Sequence, residues 1–376
     1  MKPFSSSNTQ RFAWLTVGYL ALTICAVAVN YSFIAYLEFE RLQPQSYYLI
    51  DAYYYYHLGN VIVEAINTGR PFWDTILFYT PNYSSVGVVT VSTLMSFVLG
   101  NLFLINILFC IVYLLITYRM LQKVSLNKSL FILSFVGLLP YLFIISKESL
   151  LVLAYLTLIL ALYTQSFWER ILYFFTFILL SICARPEFIL ICVISYLLFR
   201  VVISKRRWLY FSLLILIALF SPLIAYINNI AFAFQVSAME VGTGQCNFVV
   251  FDVCVELGEY NLNEYVSRFL LYFTFPIKWI IDLISFLFFE SFFAYAFVIK
   301  FFYFLSTLTI LYLLYMLPRL HFDLKKLYFF LVPFVYMGIY SSLFFYQGAR
   351  QFSVVVMLLA IAFSINVKQK RRFDDI

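Results

Sequence analysis

Apolar runs close to the length of a bilayer crossing recur from one end of this chain to the other, with almost no charge between them. Such a pattern permits few folds. Of 376 residues, 64% are hydrophobic and 11% are charged, and the mean hydropathy is +0.94. A water-soluble domain of this size needs more charge than that to cover its surface. Alternating strand patterns of the barrel kind are absent, so the backbone must satisfy itself within helices. The sequence therefore predicts an all-α polytopic membrane protein. It has about ten transmembrane helices, with interfacial or re-entrant helices in two outer loops.

In chain order the expected crossings are Phe12–Tyr36, Leu102–Tyr118, Ser129–Ile145, Leu150–Thr164, Ile171–Ala184, Phe188–Ile203, Trp208–Tyr226, Phe297–Leu317, Leu327–Phe345 and Phe352–Val367. Val86–Leu99 is apolar but short, and Phe269–Phe293 is interrupted by Pro276, Lys278, Asp282 and Glu290; both are expected not to cross. Residues 1–376 form a single integral membrane domain on this reading, with outer loops over 37–85 and 228–295. Phe12–Tyr36 is too long for the core of a cleaved signal peptide and reads as an uncleaved first span.

Charge sets the orientation. An even number of crossings places both termini on one side, and that side collects 17 of the 25 Lys and Arg residues. Every turn on it carries at least one, from Arg119 and Lys123 through Lys205-Arg206-Arg207 to the Lys368–Arg372 cluster. The positive-inside rule makes that side cytoplasmic. The net charge of +7 therefore reports topology, and no nucleic-acid partner is expected. The cytoplasmic turns are short and hold no phosphate-cradling loop, so chemistry driven by a soluble nucleotide is excluded. Chemistry on the outer face would need a substrate activated within the membrane.

Four of the six cysteines, Cys25, Cys110, Cys183 and Cys192, lie in or beside apolar spans and read as small core residues. Cys246 and Cys254 share the second outer loop with seven residues between them, where an oxidising compartment would allow pairing. No Cys/His spacing of a metal site occurs.

The most informative polar stretch is Asp51-Ala52-Tyr53-Tyr54-Tyr55-Tyr56-His57, running on to Gly69-Arg70-Pro71. A helix from Asp51 puts Tyr55, Leu58 and Ile62 on the acid's side, and His57 with Glu64 on another. A carboxylate at a membrane surface backed by aromatic rings suits a general base acting on a hydroxyl. It also suits a plain N-cap on an interfacial helix with an aromatic belt. Three more charged sites stand at expected outer ends of spans: Ser146-Lys147-Glu148 after Pro140, Arg185-Pro186-Glu187, and Gly348-Ala349-Arg350-Gln351. Cations converging there would suit a lipid-linked phosphate, Arg through two parallel donors and Lys as a point charge. Equally, Lys147–Glu148 and Arg185–Glu187 would serve as local ion pairs that end helices at the headgroups.

In their order and common sidedness these motifs resemble the GT-C superfamily of membrane glycosyltransferases. The likeness covers residues 12–210 well and the rest loosely. That superfamily's first outer loop carries an acid, then aromatics, then a helix ending in Gly. The resemblance implies that Asp51 is the catalytic acid–base residue, and that Arg185 and Arg350 lie near a donor phosphate. The substrate-binding set it implies is His57, Arg70, Lys147, Glu148, Arg185, Glu187 and Arg350. The implied donor is a polyprenyl-phosphate or polyprenyl-diphosphate sugar, and the acceptor a glycan or glycolipid. The implied setting is the periplasmic face of a bacterial inner membrane, in surface polysaccharide assembly. Ala52 stands where the family carries a second acid, so no cofactor is expected and a divalent metal is left open. The chain is also similar in character to Wzy-type O-antigen and capsule polymerases, the alternative enzyme. A lipid-oligosaccharide flippase is the alternative of another class, but no internal repeat of the transporter kind is found.

Overall fold

The computed structural model describes residues 51–80, 83–135, 145–205, 207–215, 248–250, 253–255, 294–316, 326–343 and 349–365, together with positions 17, 21, 24, 142, 277, 280, 281 and 284. Within them the chain is helical apart from one small hairpin. The helices are α1 (Asp51–Asn67), α2 (Phe72–Tyr79), α3 (Tyr83–Leu99), α4 (Leu102–Lys123), α5 (Lys128–Ser134), α6 (Lys147–Tyr163), α7 (Phe167–Ala184), α8 (Glu187–Ile203), α9 (Ala294–Met316), α10 (Leu327–Leu343) and α11 (Ala349–Ser364). The hairpin pairs β1 (Phe248–Val250) with β2 (Val253–Val255), setting Val249 opposite Cys254.

The first outer helix forms as its sequence pattern requires. α1 opens at Asp51, and Tyr55, Leu58 and Ile62 form its buried stripe while His57 and Glu64 face out. It ends at Gly69, whose φ of 94° is a left-handed value that glycine adopts without a Cβ clash. There the Gly69 N–H donates to the Ile66 carbonyl and the Arg70 N–H to that of Ala65. Pro71, in extended conformation, is the N-cap of α2, and its carbonyl accepts from the Thr75 N–H.

α6 is the centre of the fold. It is buried from Lys147 to Ala161 on every face, which fits its unbroken apolar sequence. It packs against α7, α4 and α11, while α10 bridges α8 and α11. Tyr155 of α6 donates to the Phe329 carbonyl of α10 at 3.1 Å, pairing a hydroxyl that burial would otherwise strand.

α4 and α7 are long and apolar enough to cross a membrane. Neither is the core helix of a water-soluble protein, because each shows the outside a continuous apolar stripe. On α4 the stripe is Leu104, Ile107, Ile111, Leu115 and Tyr118; on α7 it includes Ile171, Leu172, Phe175, Leu179 and Ile182. Rows of that length against water mark an interaction surface, and here the surface matches lipid. The protein is membrane-associated. Shorter apolar helices cover Ser85–Leu99, Phe301–Tyr315, Leu327–Gly338 and Phe352–Ser364.

Within the expected crossing Ser129–Ile145, α5 covers the run up to Ser134, and most of the remainder lies outside the described residues. Asn127 caps α5 by accepting from the Leu130 N–H, and its own N–H donates to the Ser364 carbonyl at the end of α11. The expected crossings Phe12–Tyr36 and Trp208–Tyr226, the segment Phe269–Phe293 and residue Cys246 lie wholly or largely outside the described residues.

Candidate functional site

Ser146 makes the site's first element. Its side chain accepts from the Ser149 N–H at 3.0 Å, so α6 starts with an N-cap and carries Lys147 and Glu148 in its first turn. α7 ends at Ala184, and Arg185 with Pro186 turns the chain into α8, whose first residue is Glu187. Because α6 is buried and α7 packs along it, that turn closes over the start of α6. Arg185 Nη2 lies 3.8 Å from Glu148 Oε1, and Nη1 lies 3.8 Å from Glu187 Oε1. Glu148 is 2% exposed, Arg185 7% and Lys147 8%. Two charged stretches that stand 37 residues apart in sequence thus become one buried cluster.

The cluster stands at helix ends, as expected, and α4 packs beside it. Tyr113 stands midway along α4, and its hydroxyl donates to the Ser149 carbonyl at 2.7 Å and accepts from Ser149 Oγ at 3.2 Å. At the other end Lys123, the last residue of α4, pairs with Glu169 in the first turn of α7. α4 and α6 therefore finish near each other, and α4, five residues longer, reaches about 8 Å beyond the start of α6. The first turn of α6 thus meets α4 at Tyr113.

α3 ties the first outer helix to this cluster. Gly87 meets α7 so closely that a Cβ there would stand 2.5 Å from Cys183 Cα and 2.7 Å from the Ile182 carbonyl oxygen. On its other side α3 packs on α1. Ser92 donates to the Tyr55 carbonyl at 2.6 Å, Gly59 seats against Ser92, and the Tyr55 hydroxyl lies 3.5 Å from Ser85 Oγ. Small residues let the three helices approach closely. α3 thus packs on α1 at Ser92 and Ser85 and on α7 at Gly87.

Of the expected site residues, the structure gathers Lys147, Glu148, Arg185 and Glu187. Asp51 and Arg350 have described backbone in the first turns of α1 and α11, and their side chains lie outside the described residues. His57 is exposed on α1. Arg70 is exposed beyond that helix, with its guanidinium carbon 6.0 Å from the Phe78 ring centroid. Among the described residues no hydrogen bond or ion pair joins His57 or Arg70 to the Arg185 cluster. No three His, Cys, Asp or Glu side chains gather as metal ligands among the described residues.

Sequence reasoning passed over Tyr113, Ser149 and Asn106. Asn106 is the one amide in the apolar run Leu102–Tyr118, and that isolation was the available signal. Comparison with protein-family models found no match, and neither the curated proteins nor the solved structures gave one.

Proposed function

We propose that this chain is a GT-C-type glycosyltransferase of a bacterial inner membrane. It crosses about ten times with both termini cytoplasmic. It moves a sugar from a polyprenyl-phosphate or polyprenyl-diphosphate donor to a glycan or glycolipid acceptor on the periplasmic face. The observation that supports this reading is the Glu148–Arg185–Glu187 cluster beside Lys147, largely buried and linked through α3 to the helix that Asp51 opens.

In this mechanism the Asp51 carboxylate takes the proton of the acceptor hydroxyl. The acceptor oxygen attacks the anomeric carbon, and the carbon–phosphate oxygen bond breaks. Its electron pair leaves with the lipid phosphate, inverting the anomeric centre. Arg185 offers the departing phosphate its planar donors, and Lys147 adds a charge whose value rises in a dry site. Glu148 and Glu187 hold the guanidinium in place. Their two charges balance those of Lys147 and Arg185, so Arg350 supplies the further cation that a phosphate requires.

The direct test is turnover. Membranes containing the chain would be incubated with lipid-linked sugars extracted from its own host, and release of polyprenyl phosphate followed. Release that needs Asp51 and Arg185 is expected. Equal release from membranes lacking the chain removes the proposal.

A further inference from the structure

We propose that Asn106 binds a neutral, hydroxyl-bearing group of a ligand that enters beside the Arg185–Glu148 pair. Asn106 is 1% exposed, and neither its Nδ2 nor its Oδ1 has a hydrogen-bond partner among the described residues. Native proteins rarely leave a buried amide wholly unpaired, and such a group calls for a missing partner. The contrast with neighbouring hydroxyls is sharp. Thr93, Thr157 and Ser195 are as deeply buried, and each donates to a carbonyl three or four residues back in its own helix.

Its place in the fold says where that partner comes from. Asn106 and Tyr113 are seven residues apart and share one face of α4. Tyr113 touches Ser149 at the start of α6, and the axial rise sets Asn106 about 10 Å further along, past the point where α6 begins. A ligand held at Asn106 would extend from there toward the start of α6, against which Arg185 packs. A second buried hydroxyl, Ser181 Oγ, also has no partner among the described residues, and it stands one turn before Arg185 on α7. The amide offers two donors and an acceptor without charge, the complement of a hydroxyl that both donates and accepts. Naming the ligand a sugar rests on the glycosyl-transfer reading; the binding measurement does not.

The test uses the full chain purified in lauryldimethylamine oxide, a detergent without hydroxyl groups. Octyl β-D-glucoside is the sugar probe, and octyl tetraoxyethylene is the control with a matched tail. The glucoside should raise the unfolding temperature of the wild type by about 2–4 °C beyond the control. Asn106→Leu keeps the volume and removes the unpaired amide, so its starting temperature should rise while the sugar increment disappears. Asn106→Ala, less demanding on packing, should lose the same increment. No increment in the wild type, or the same increment in both variants, overturns the inference. A sugar increment that depends on Asn106 in a protein without transferase activity would keep the binding site and remove the glycosyl-transfer reading.

Discussion

Arg185 and Glu148 face each other across the α6–α7 contact, guanidinium to carboxylate at 3.8 Å, in a setting that leaves the acid 2% exposed. A buried charge that loses its partner is far more costly than the pair was favourable. Arg185→Ala should therefore destabilise the protein by about 3–5 kcal/mol. Adding Glu148→Gln should recover much of that loss, because the stranded carboxylate is gone. Thermal unfolding of the single and double variants in one detergent reads the coupling. Additive losses would show that the two side chains do not act on each other.

The close approach at Gly87 makes a separate forecast. A methyl group there would meet the backbone of Ile182 and Cys183, which cannot swing aside like the tip of a side chain. Gly87→Ala should push α3 off α7 and destabilise by about 1–3 kcal/mol. It should also lower activity, since α3 links α1 to the helix that leads to Arg185. Gly59→Ala meets the Ser92 hydroxyl at 2.8 Å and Ser92 backbone only at 3.0 Å and beyond, so it should cost less than Gly87→Ala while weakening the Ser92–Tyr55 bond. An unfolding temperature unchanged by Gly87→Ala would contradict the packing described.

Much of this was legible in the chain before the structure. The helix from Asp51, its buried Tyr55–Leu58–Ile62 stripe and its end at Gly69 follow from side-chain periodicity and from glycine's access to positive φ. The charged sites at 147–148 and 185–187 stood out as islands in apolar sequence. Their joining into one buried cluster did not, because local pattern carries no information on which helices pack. A run's hydropathy gives its length, and only the Tyr113–Ser149 contact shows how α6 sits against α4. The end of α5 was not legible in its evenly apolar run, because it falls at a tertiary contact, Phe135 against Tyr113.

Topology can be checked through two exposed turns at opposite ends of the expected crossings. Thr68 follows α1 in the first outer loop, and Ser166 precedes α7 on the side of Lys123 and Glu169. In a background lacking the six native cysteines, Thr68→Cys should react with a membrane-impermeant maleimide from the periplasm. Ser166→Cys should react only after the membrane is opened. Labelling of Ser166→Cys in intact spheroplasts would invert the orientation and move the cluster to the cytoplasmic side.

The catalytic reading depends most on Asp51, and two roles compete for it. It opens α1, where a carboxylate stabilises the exposed N–H groups and the positive end of the helix dipole. It also stands in the first turn of a helix that packs on α3, as the helix leading to Arg185 does, and the proposed mechanism makes it the base for an acceptor hydroxyl. Substitution separates the roles because they ask for different chemistry. Asparagine caps a helix about as well as aspartate but cannot take up a proton at neutral pH. Asp51→Asn should therefore leave the unfolding temperature within about 1–2 °C of the wild type, while transfer falls by about 10²-fold or more. Asp51→Ala should lose the cap as well, for a further loss of about 1 kcal/mol in stability. The measurements are unfolding in detergent and release of polyprenyl phosphate from lipid-linked sugar. Full turnover by Asp51→Asn would reduce the residue to a cap, and the base would then have to be sought among the acids around Arg185.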